Sequence, residues 1–566
     1  EGGHDASGME VKPLDEALIK EKIKYYADKV TAFAISASFA VRNPAHEMTL
    51  KKWVTECCDK PVTCGHELAS SLGAPRRALT VAMNARMISH VKDLIDAVQS
   101  TLQTHQIAAP LMIVKGDGSL INIKSAMQQP VTTVLSGPAA SVLGACAWAG
   151  TDSAIIADMG GTTTDIAVVL KGKPALSFDG ALIGQWRPMV ESIRVHAIGL
   201  GGDSELGFKG GEGFAIGPRR VVPLSLIVHQ HPHLLKTLES QSMESPHPGQ
   251  MRFVQRLRAD SATLQDLSSD EKMAWEALAK GPIDIENANL TNRNLAKALA
   301  RLERKGLAIY SGFTPTDAAH VLGASHHWNK EAAKYAAIIW ARQMRHLYGM
   351  GNWLNGDPVA PSQFALDNVV KAICQKLIET GLNEFGRLSD SAASKTAALM
   401  AEIALHKSAR FATQASHEEE TPPEADLFRL QFSPKLPLIA VGAPAASIYP
   451  HVARSFGMNL ILPEHGAVAN AFGAVLGQVC HRVHVTINQV QRGVFTVFLP
   501  TGPQITDQLS KAVEMAKEFA AKQAQEQALL SGASSISVEF DLDENAVKND
   551  IDGDLFFEAR VTASAF

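Results

Sequence analysis

No stretch of the 566-residue sequence approaches the roughly 20 consecutive apolar residues that a membrane-crossing helix needs. The opening EGGHDASGMEVKPLDE has neither the basic start nor the apolar stretch of a secretory signal, and it lacks an initiator methionine. Its turn-rich EGGHDASG, leading into a helix, reads as the middle of something longer, so an N-terminal segment is expected outside this chain. A net charge of −5 is small for this length and gives no basic footprint for nucleic acid. Six cysteines (Cys57, Cys58, Cys64, Cys146, Cys374 and Cys480) make neither a disulfide framework nor a paired CxxC metal spacing. A reduced, cytoplasmic protein is the simplest account. Cys57, Cys58 and Cys64 with His66 could gather a soft metal, but burial as small apolar side chains is the stronger reading. There is no Ser-His-Asp order and no G-x-S-x-G elbow for covalent hydrolysis. The acidic DENAVKNDIDGD (543–554) lacks the EF-hand spacing and reads as a solvated turn.

What the sequence does contain is an alternation of helical and strand-like segments. Residues 14–30, 46–57 and 87–105 read as helices, 32–41 (AFAISASFAV) as a short buried strand, and 111–115 as a strand ending at Gly116-Asp117-Gly118. A Gly/Ala-rich helix is expected over 133–148. Strands at 154–158 and 165–170, joined through Gly160-Gly161, predict a β-hairpin. Residues 264–312 read as two helices (269–280 and 292–305) and a strand, a winged-helix-like unit. Seven basic and seven acidic residues over 264–310 make it neutral, which favours packing or partner docking over DNA. Residues 330–382 and 391–414 are amphipathic and helical, and HEEETPPEAD (417–426) reads as a charged, mobile linker. A buried strand at 438–441, a helix over 446–457, a strand at 460–463 and a helix over 470–480 follow. The tail predicts a helix over 506–530 with Thr506 as N-cap, then strands at 537–542 and 555–562.

The strongest chemical signal is DMGGTTTD (158–165). Gly160 and Gly161 let backbone approach an anion with no Cβ in the way, and their N–H groups can converge on phosphate oxygens. Thr162, Thr163 and Thr164 add hydroxyls. Asp158 and Asp165 flank the turn, where carboxylates beside a phosphate call for a bridging Mg²⁺. A tight hairpin with threonines chosen for β propensity explains less of this pattern. In AIGLGGDSELGF (197–208), Gly199, Gly201 and Gly202 form a second permissive loop beside Asp203 and Ser204, although glycines also serve ordinary turns. In VGAPAASIYP (441–450), a buried strand ends in Gly442-Ala443-Pro444 at a helix start. Such a place could cover a flat purine or be a plain connection. The His229–His231–His233 tract, His320 beside Asp317, and the pairs His46-Glu47 and His66-Glu67 read first as packing or polar surface, and second as ligands or bases.

The order of these blocks resembles the hydantoinase A / 5-oxoprolinase family. They are SFAVRNPAHE (38–47), ALTVAMNA (78–85), SGPAAS (136–141), DMGGTTTD (158–165), IGLGGDS (198–204), SGFTPTDAAHVLG (311–323), VGAPAASIYPHVARSFG (441–457) and PEHGAVANAFGAVLG (463–477). The resemblance implies an α/β, two-lobed actin/sugar-kinase/Hsp70-like (ribonuclease H-like) ATPase fold with ATP and Mg in the cleft. It makes 158–165 the phosphate hairpin of the second lobe, with Asp158 and Asp165 as catalytic carboxylates and magnesium ligands. It puts Gly199, Gly201, Gly202 and Asp203 near the nucleotide, and Gly442, Ala443 and Pro444 on its adenosine side. The chain departs from the family's GAGGGS at Leu200 and Asp203, and the family's first-lobe Gly-Gly-Thr hairpin would lie ahead of Glu1.

On this reading, 1–130 is the remainder of the first lobe and 131–225 the second-lobe core. Residues 226–325 are a winged-helix-like insertion and 326–416 a helical segment. Residues 417–480 form the adenosine side of the core, and 481–566 a C-terminal α+β segment. The implied activity is ATP-dependent phosphorylation and opening of a small cyclic amide such as a hydantoin or 5-oxoproline. A hydantoinase B-type partner subunit, or self-association, goes with it, and neither nucleic acid nor membrane does. The alternatives are a nucleotide-binding subunit without turnover and an ATP-dependent carboxylase subunit of the same family.

Overall fold

All four residues of Leu438–Val441 are buried because this strand lies inside a sheet rather than at its edge. It runs parallel to Ala154–Met159 on one side and to Leu460–Ile461 on the other. Strands covered on both faces carry continuous apolar runs, as LIAV does here. Ala154–Met159 then turns back as Thr164–Leu170, and His196–Ile198 adds an antiparallel edge. The computed structural model describes residues 2–566, apart from 178–179, 181, 258–263, 265, 385, 387, 406–431, 534 and 548–554. The chain divides into two compact units, one of 145–173 with 195–469, the other of 1–144, 174–194 and 470–566.

In the first of these units the sheet is covered by helices Val359–Glu384 and Ala445–Phe456. Leu366, Val369 and Ile373 from one helix, and Ile448, Tyr449 and Val452 from the other, share a core with Ala157, Met159 and Leu438. Helix Ala445–Phe456 ends where expected, on Gly457 in the left-handed region (φ 63°). A second core gathers Leu224, Ile227, Phe253, Phe313 and Trp340 around helix Lys330–Tyr348. The stretch read from the sequence as a winged-helix-like unit has helices Ser269–Leu278 and Arg293–Arg304, with its own core of Leu278, Ala298, Leu299 and Leu302. It also has a helix, Ile285–Thr291, and a strand, Phe253–Arg256, that were not expected from the sequence. The helix is too short to show a period and is rich in Asn and Thr, which are weak helix formers. What starts it is the Asp284 side chain accepting from the Glu286 N–H. The strand pairs antiparallel with Ala308–Gly312, a long-range partner that no local pattern reveals.

The other unit contains an antiparallel sheet in the order Gly502–Thr506, Val494–Leu499, His481–Gln491, Leu555–Ala565, Val538–Val547. Helix Leu509–Leu530 lies on it through Ala512, Ala516, Ala520, Ala524 and Ala528, all fully buried. A stripe of alanines at four-residue spacing lets the helix sit close to the strands. Thr506 therefore closes a strand instead of capping this helix, whose N-cap is Gln508. The strand Val538–Val547 also extends into the stretch read as an acidic turn. Helix Ala74–Thr104 begins thirteen residues earlier than expected, with proline in its first turn after Gly73.

Of the expected strand 32–41, only Phe33–Ile35 is a strand. Beyond it, side chains take over the role of a ladder. Arg77 Nη2 donates to the carbonyls of Ala37 and Ser38 (2.6 Å each), and Glu47 Oε1 accepts from the Ala37 amide (2.8 Å). The expected linker 417–426 lies outside the described residues. Among the described residues no helix is long and apolar enough to cross a membrane.

Candidate functional site

Asp158 and Asp165 stand directly opposite one another in the hairpin. Like charges at such a cross-strand pair repel unless a cation lies between them. Burial, and then the Asp158 charge, push the Asp165 carboxyl up to about 6. The buried Tyr449 phenol is pushed up by the same burial and by Asp158.

The turn between the strands is more constrained than its sequence implied. The Gly160 amide closes the turn by donating to the Thr163 carbonyl (2.9 Å), so it is not free for an anion. The turn's carbonyls are also taken: Gly160 O accepts from the Gly202 amide (3.0 Å) and Gly161 O from the Asp203 amide (2.8 Å). That leaves the amides of Gly161, Thr162 and Thr163 with no acceptor among the described residues, beside the exposed side chains of Thr162 and Thr163. Thr164, the third hydroxyl, points elsewhere; its Oγ1 donates to the Leu200 carbonyl (2.7 Å) and is buried. Three consecutive amides with no acceptor among the described residues are a donor set suited to phosphate oxygens.

The second glycine loop is the backing of this turn. Gly201 is buried, and a Cβ there would lie 2.4 Å from Gly161 C and 2.5 Å from the Thr162 N. Only glycine lets two backbones pass this closely. Ser204 Oγ accepts from the Gly201 amide, and Thr316 donates to the Gly202 carbonyl through both N (3.1 Å) and Oγ1 (2.7 Å). Gly199 is exposed and lies beside Pro218.

The third loop closes in from the neighbouring strand, where Val441 pairs with Asp158. Gly442 has φ 95°, donates to Gly466 O (3.0 Å), and would put a Cβ 2.1 Å from Met159 O. Pro444 heads helix Ala445–Phe456 and touches the position of Gly202, while Ala443 is exposed. All three sequence-derived blocks thus meet at one place.

The two departures from GAGGGS are absorbed locally. Leu200 is buried in the core with Met159 and Ile166. Asp203 Oδ2 accepts from Arg220 Nε (3.2 Å) and Nη2 (3.0 Å), so its charge is neutralised inside its own hairpin. Burial raises Asp203 above the usual carboxylate range, against the pull of Arg220. Arg220 and Thr316 were not singled out from the sequence. The register Ser204↔Arg220 of the following hairpin brings the first into place. The second lies in a block that was noted as a whole, but only the fold shows which of its side chains faces the loop.

The remaining candidates already take part in hydrogen bonds or ring contacts within the protein. His320 is buried, its Nδ1 hydrogen-bonded to Thr316 O and its Nε2 accepting from the Trp328 amide, with the ring stacked on Trp328. Asp317 is fully buried and accepts from the Leu224 and Ser225 amides, the Ser225 hydroxyl and Thr314. Cys57 and Cys58 do not join Cys64; among the described residues the ligand-type side chains grouped with Cys64 are Glu47 and His66. There the Glu47 carboxylate is used by the Ala37 amide and by His66 N and Nδ1, and burial pushes the Cys64 thiol up to about 12. That chemistry is a hydrogen-bonded staple. His46 Nε2 meets Glu10 Oε1 at 2.7 Å. His231 and His233 are ring neighbours at 6.1 Å, outside the ligand-type groupings found among the described residues.

The hydantoinase/oxoprolinase N-terminal region matches residues 1–58, and the hydantoinase/oxoprolinase domain matches 77–225, which takes in the hairpin and the second glycine loop. Residues 1–58 and 77–225, a little over a third of the chain, are thus similar to hydantoinases and oxoprolinases. It is 31% identical over 204 residues to a caprolactamase subunit alpha from Pseudomonas jessenii, covering 35% of this chain and 29% of that one. It is 25% identical over 227 residues to an acetophenone carboxylase gamma subunit from Aromatoleum aromaticum, covering 38% and 31% respectively. These matches span about a third of the length of those relatives. The α/β fold is similar to a nucleotide-free acetone carboxylase (TM-score 0.54, 13% identity) and to the ATP-dependent caprolactamase of P. jessenii (TM-score 0.56, 16% identity). Each comparison covers 100% of this chain and 69% of the other. The Gly442 loop lies beyond the matched 77–225.

Proposed function

We propose that this chain is the nucleotide-binding part of an ATP-dependent hydrolase that phosphorylates and opens a small cyclic amide, on a two-lobed actin/sugar-kinase/Hsp70-like ATPase fold. The observation that carries the reading is the turn 160–163: three amides without an acceptor, next to a repelling pair of carboxylates. Those residues fit a magnesium–phosphate group on both counts, since the amides have no acceptor among the described residues and the two carboxylates face one another. Gly161, Thr162 and Thr163 would hold phosphate oxygens, and Asp158 and Asp165 the magnesium. Gly442, Ala443 and Pro444 would border the adenosine, and Gly201 and Gly202 hold the turn in shape. When bound, magnesium ATP supplies the phosphoryl group that turns an unreactive amide oxygen into one the ring carbon can part with.

Several further features belong to the same reading. A hydantoinase B-type partner subunit would act alongside this chain, in keeping with relatives that are themselves subunits, and the setting would be cytoplasmic. A second reading, a subunit of an ATP-dependent carboxylase, is favoured by the likeness to the acetophenone carboxylase gamma subunit and to acetone carboxylase. Activation of an oxygen by phosphorylation serves both reactions, so the phosphate turn alone does not choose between them.

Phosphate release from ATP by the full-length protein separates the readings. Hydantoin, 5-oxoproline and caprolactam are offered first, then acetophenone with bicarbonate. We expect at least one cyclic amide to stimulate hydrolysis. Stimulation by the ketone with bicarbonate alone would favour the carboxylase. Tight ATP binding without stimulation by any compound would leave only a nucleotide-binding subunit.

A further inference from the structure

A cavity of about 310 Å³ is built from the strand that follows the second glycine loop, helix Lys330–Tyr348, and the chain entering Phe253–Arg256. That volume is at the small end of small-molecule sites. No group described so far uses it. We infer that this cavity is a second ligand site, for a small monocarboxylate with a flat apolar body.

Three basic side chains, Lys209, Arg219 and Arg252, line the cavity against one acid, Glu205. Glu205 holds both guanidinium groups in place: Arg252 Nη2 donates to Oε1, and Arg219 Nη1 lies 3.6 Å from Oε2. Arg252 is further tethered through Nη1 to the Ser311 carbonyl (3.4 Å). Arg219 is shared with Glu303 outside the lining (2.7 Å) and lies over the Tyr310 ring. Guanidinium groups fixed in advance lose little freedom when a carboxylate binds their remaining N–H donors, and the planar fork matches its two oxygens.

The rest of the lining is apolar and aromatic. Trp340 is buried and its Nε1 is already bonded to the Leu206 carbonyl (2.9 Å), so it offers only ring surface. Phe208 and Tyr348 are stacked at 4.5 Å and 15°, a flat wall suited to a flat ligand. Gly207 lies on the strand between Glu205 and Lys209, and a Cβ there meets nothing within 4 Å, so the space beside it is open. A fully apolar ligand would dehydrate the guanidinium N–H donors not taken by Glu205, Glu303 and Ser311, and a dianion would crowd Glu205. A single carboxylate on a planar body answers both walls.

Calorimetric titration of the full-length protein with phenylacetate, and separately with its uncharged counterpart phenylacetamide, tests this without nucleotide. Phenylacetate is expected to bind and the amide to bind at least about tenfold more weakly, the scale of one charge-assisted contact. Gly207→Phe, which adds a ring at a lining position whose Cβ would meet nothing within 4 Å, should abolish binding. Arg252→Gln should weaken it about tenfold while Arg219 still pairs Glu205. Equal binding of acid and amide, no binding of either, or unchanged affinity in Arg252→Gln would each overturn the assignment. Should Gly207→Phe fail to fold by circular dichroism, the Arg252→Gln result decides.

Discussion

Replacing Gly201 with alanine should cost about a hundredfold in ATP affinity and only a few degrees of melting temperature. The added methyl would be placed 2.4 Å from Gly161 C and 2.5 Å from both Gly161 O and Thr162 N, all backbone atoms. No flexible side chain end is available to give way. The two loops must separate, and the hydrogen bonds from Gly202 N to Gly160 O and from Asp203 N to Gly161 O go with them. Overpacking of this kind costs about 1–3 kcal/mol, and each lost hydrogen bond adds about 1 kcal/mol. A displacement worth about 3 kcal/mol, falling on the turn that shapes the three amides, is roughly a hundredfold in a dissociation constant. Gly207→Ala, six residues further along at a position open to space, is the control and should bind ATP as the parent does. Titration of both variants with magnesium ATP, alongside melting curves, checks this. Unchanged affinity in Gly201→Ala would mean that the loop does not shape the site.

Asp165→Asn should stabilise the protein at neutral pH and impair magnesium-dependent nucleotide binding in the same stroke. Asp165 ionises near 6 in the fold against an ordinary value of 3.8, because it is buried and faces Asp158. Below pH 4 the group is protonated in both folded and unfolded chains and costs nothing. As pH rises from 4 to 6 the unfolded chain releases its proton first, so stability falls across that window. Above pH 6 the folded state carries the whole deficit, on the order of 2–3 kcal/mol. Asparagine keeps the shape and removes the charge, so the gain should be present at pH 7.5 and absent at pH 4. Denaturant titrations at the two pH values measure it. A cation needs the ionised pair, so in the parent, magnesium ATP affinity should fall as pH drops through 6, and the variant should lose that step. A gain in stability equal at both pH values would show that Asp165 is not held against its neighbour. Under the proposed function, the repulsion within this pair is what a bound magnesium would relieve.

How much of this could be read from the chain follows from the range of the interactions involved. The hairpin, the buried LIAV strand and the glycine-terminated helix after it are local, governed by alternation, apolar runs and a left-handed C-cap, and all three lie where expected. That Asp158 faces Asp165 follows from the hairpin register once the four-residue turn is known. The Gly160 amide is different. Its acceptor, Thr163, lies within the motif, but two adjacent glycines look equally free until the turn geometry spends one of them. Arg220 and Thr316 reach the loop from 17 and 114 residues away, distances at which sequence gives a register or a block but no contact. The same holds for the sheet strand Phe253–Arg256, whose partner begins 52 residues on. In the other unit, Arg77 and Glu47 replaced the expected continuation of a strand, because charged side chains can satisfy backbone groups as a ladder would.

The central claim is that the backbone amides of Gly161, Thr162 and Thr163 receive the phosphates. Residue-resolved amide hydrogen exchange, in the presence of magnesium ATP and of adenosine as a phosphate-free comparison, addresses those three groups one by one. The account expects ATP to slow exchange at all three and adenosine to leave them unchanged, with Gly160, already bonded within the turn, slow throughout. Bound ATP with the three amides still exchanging as in the free protein would contradict it.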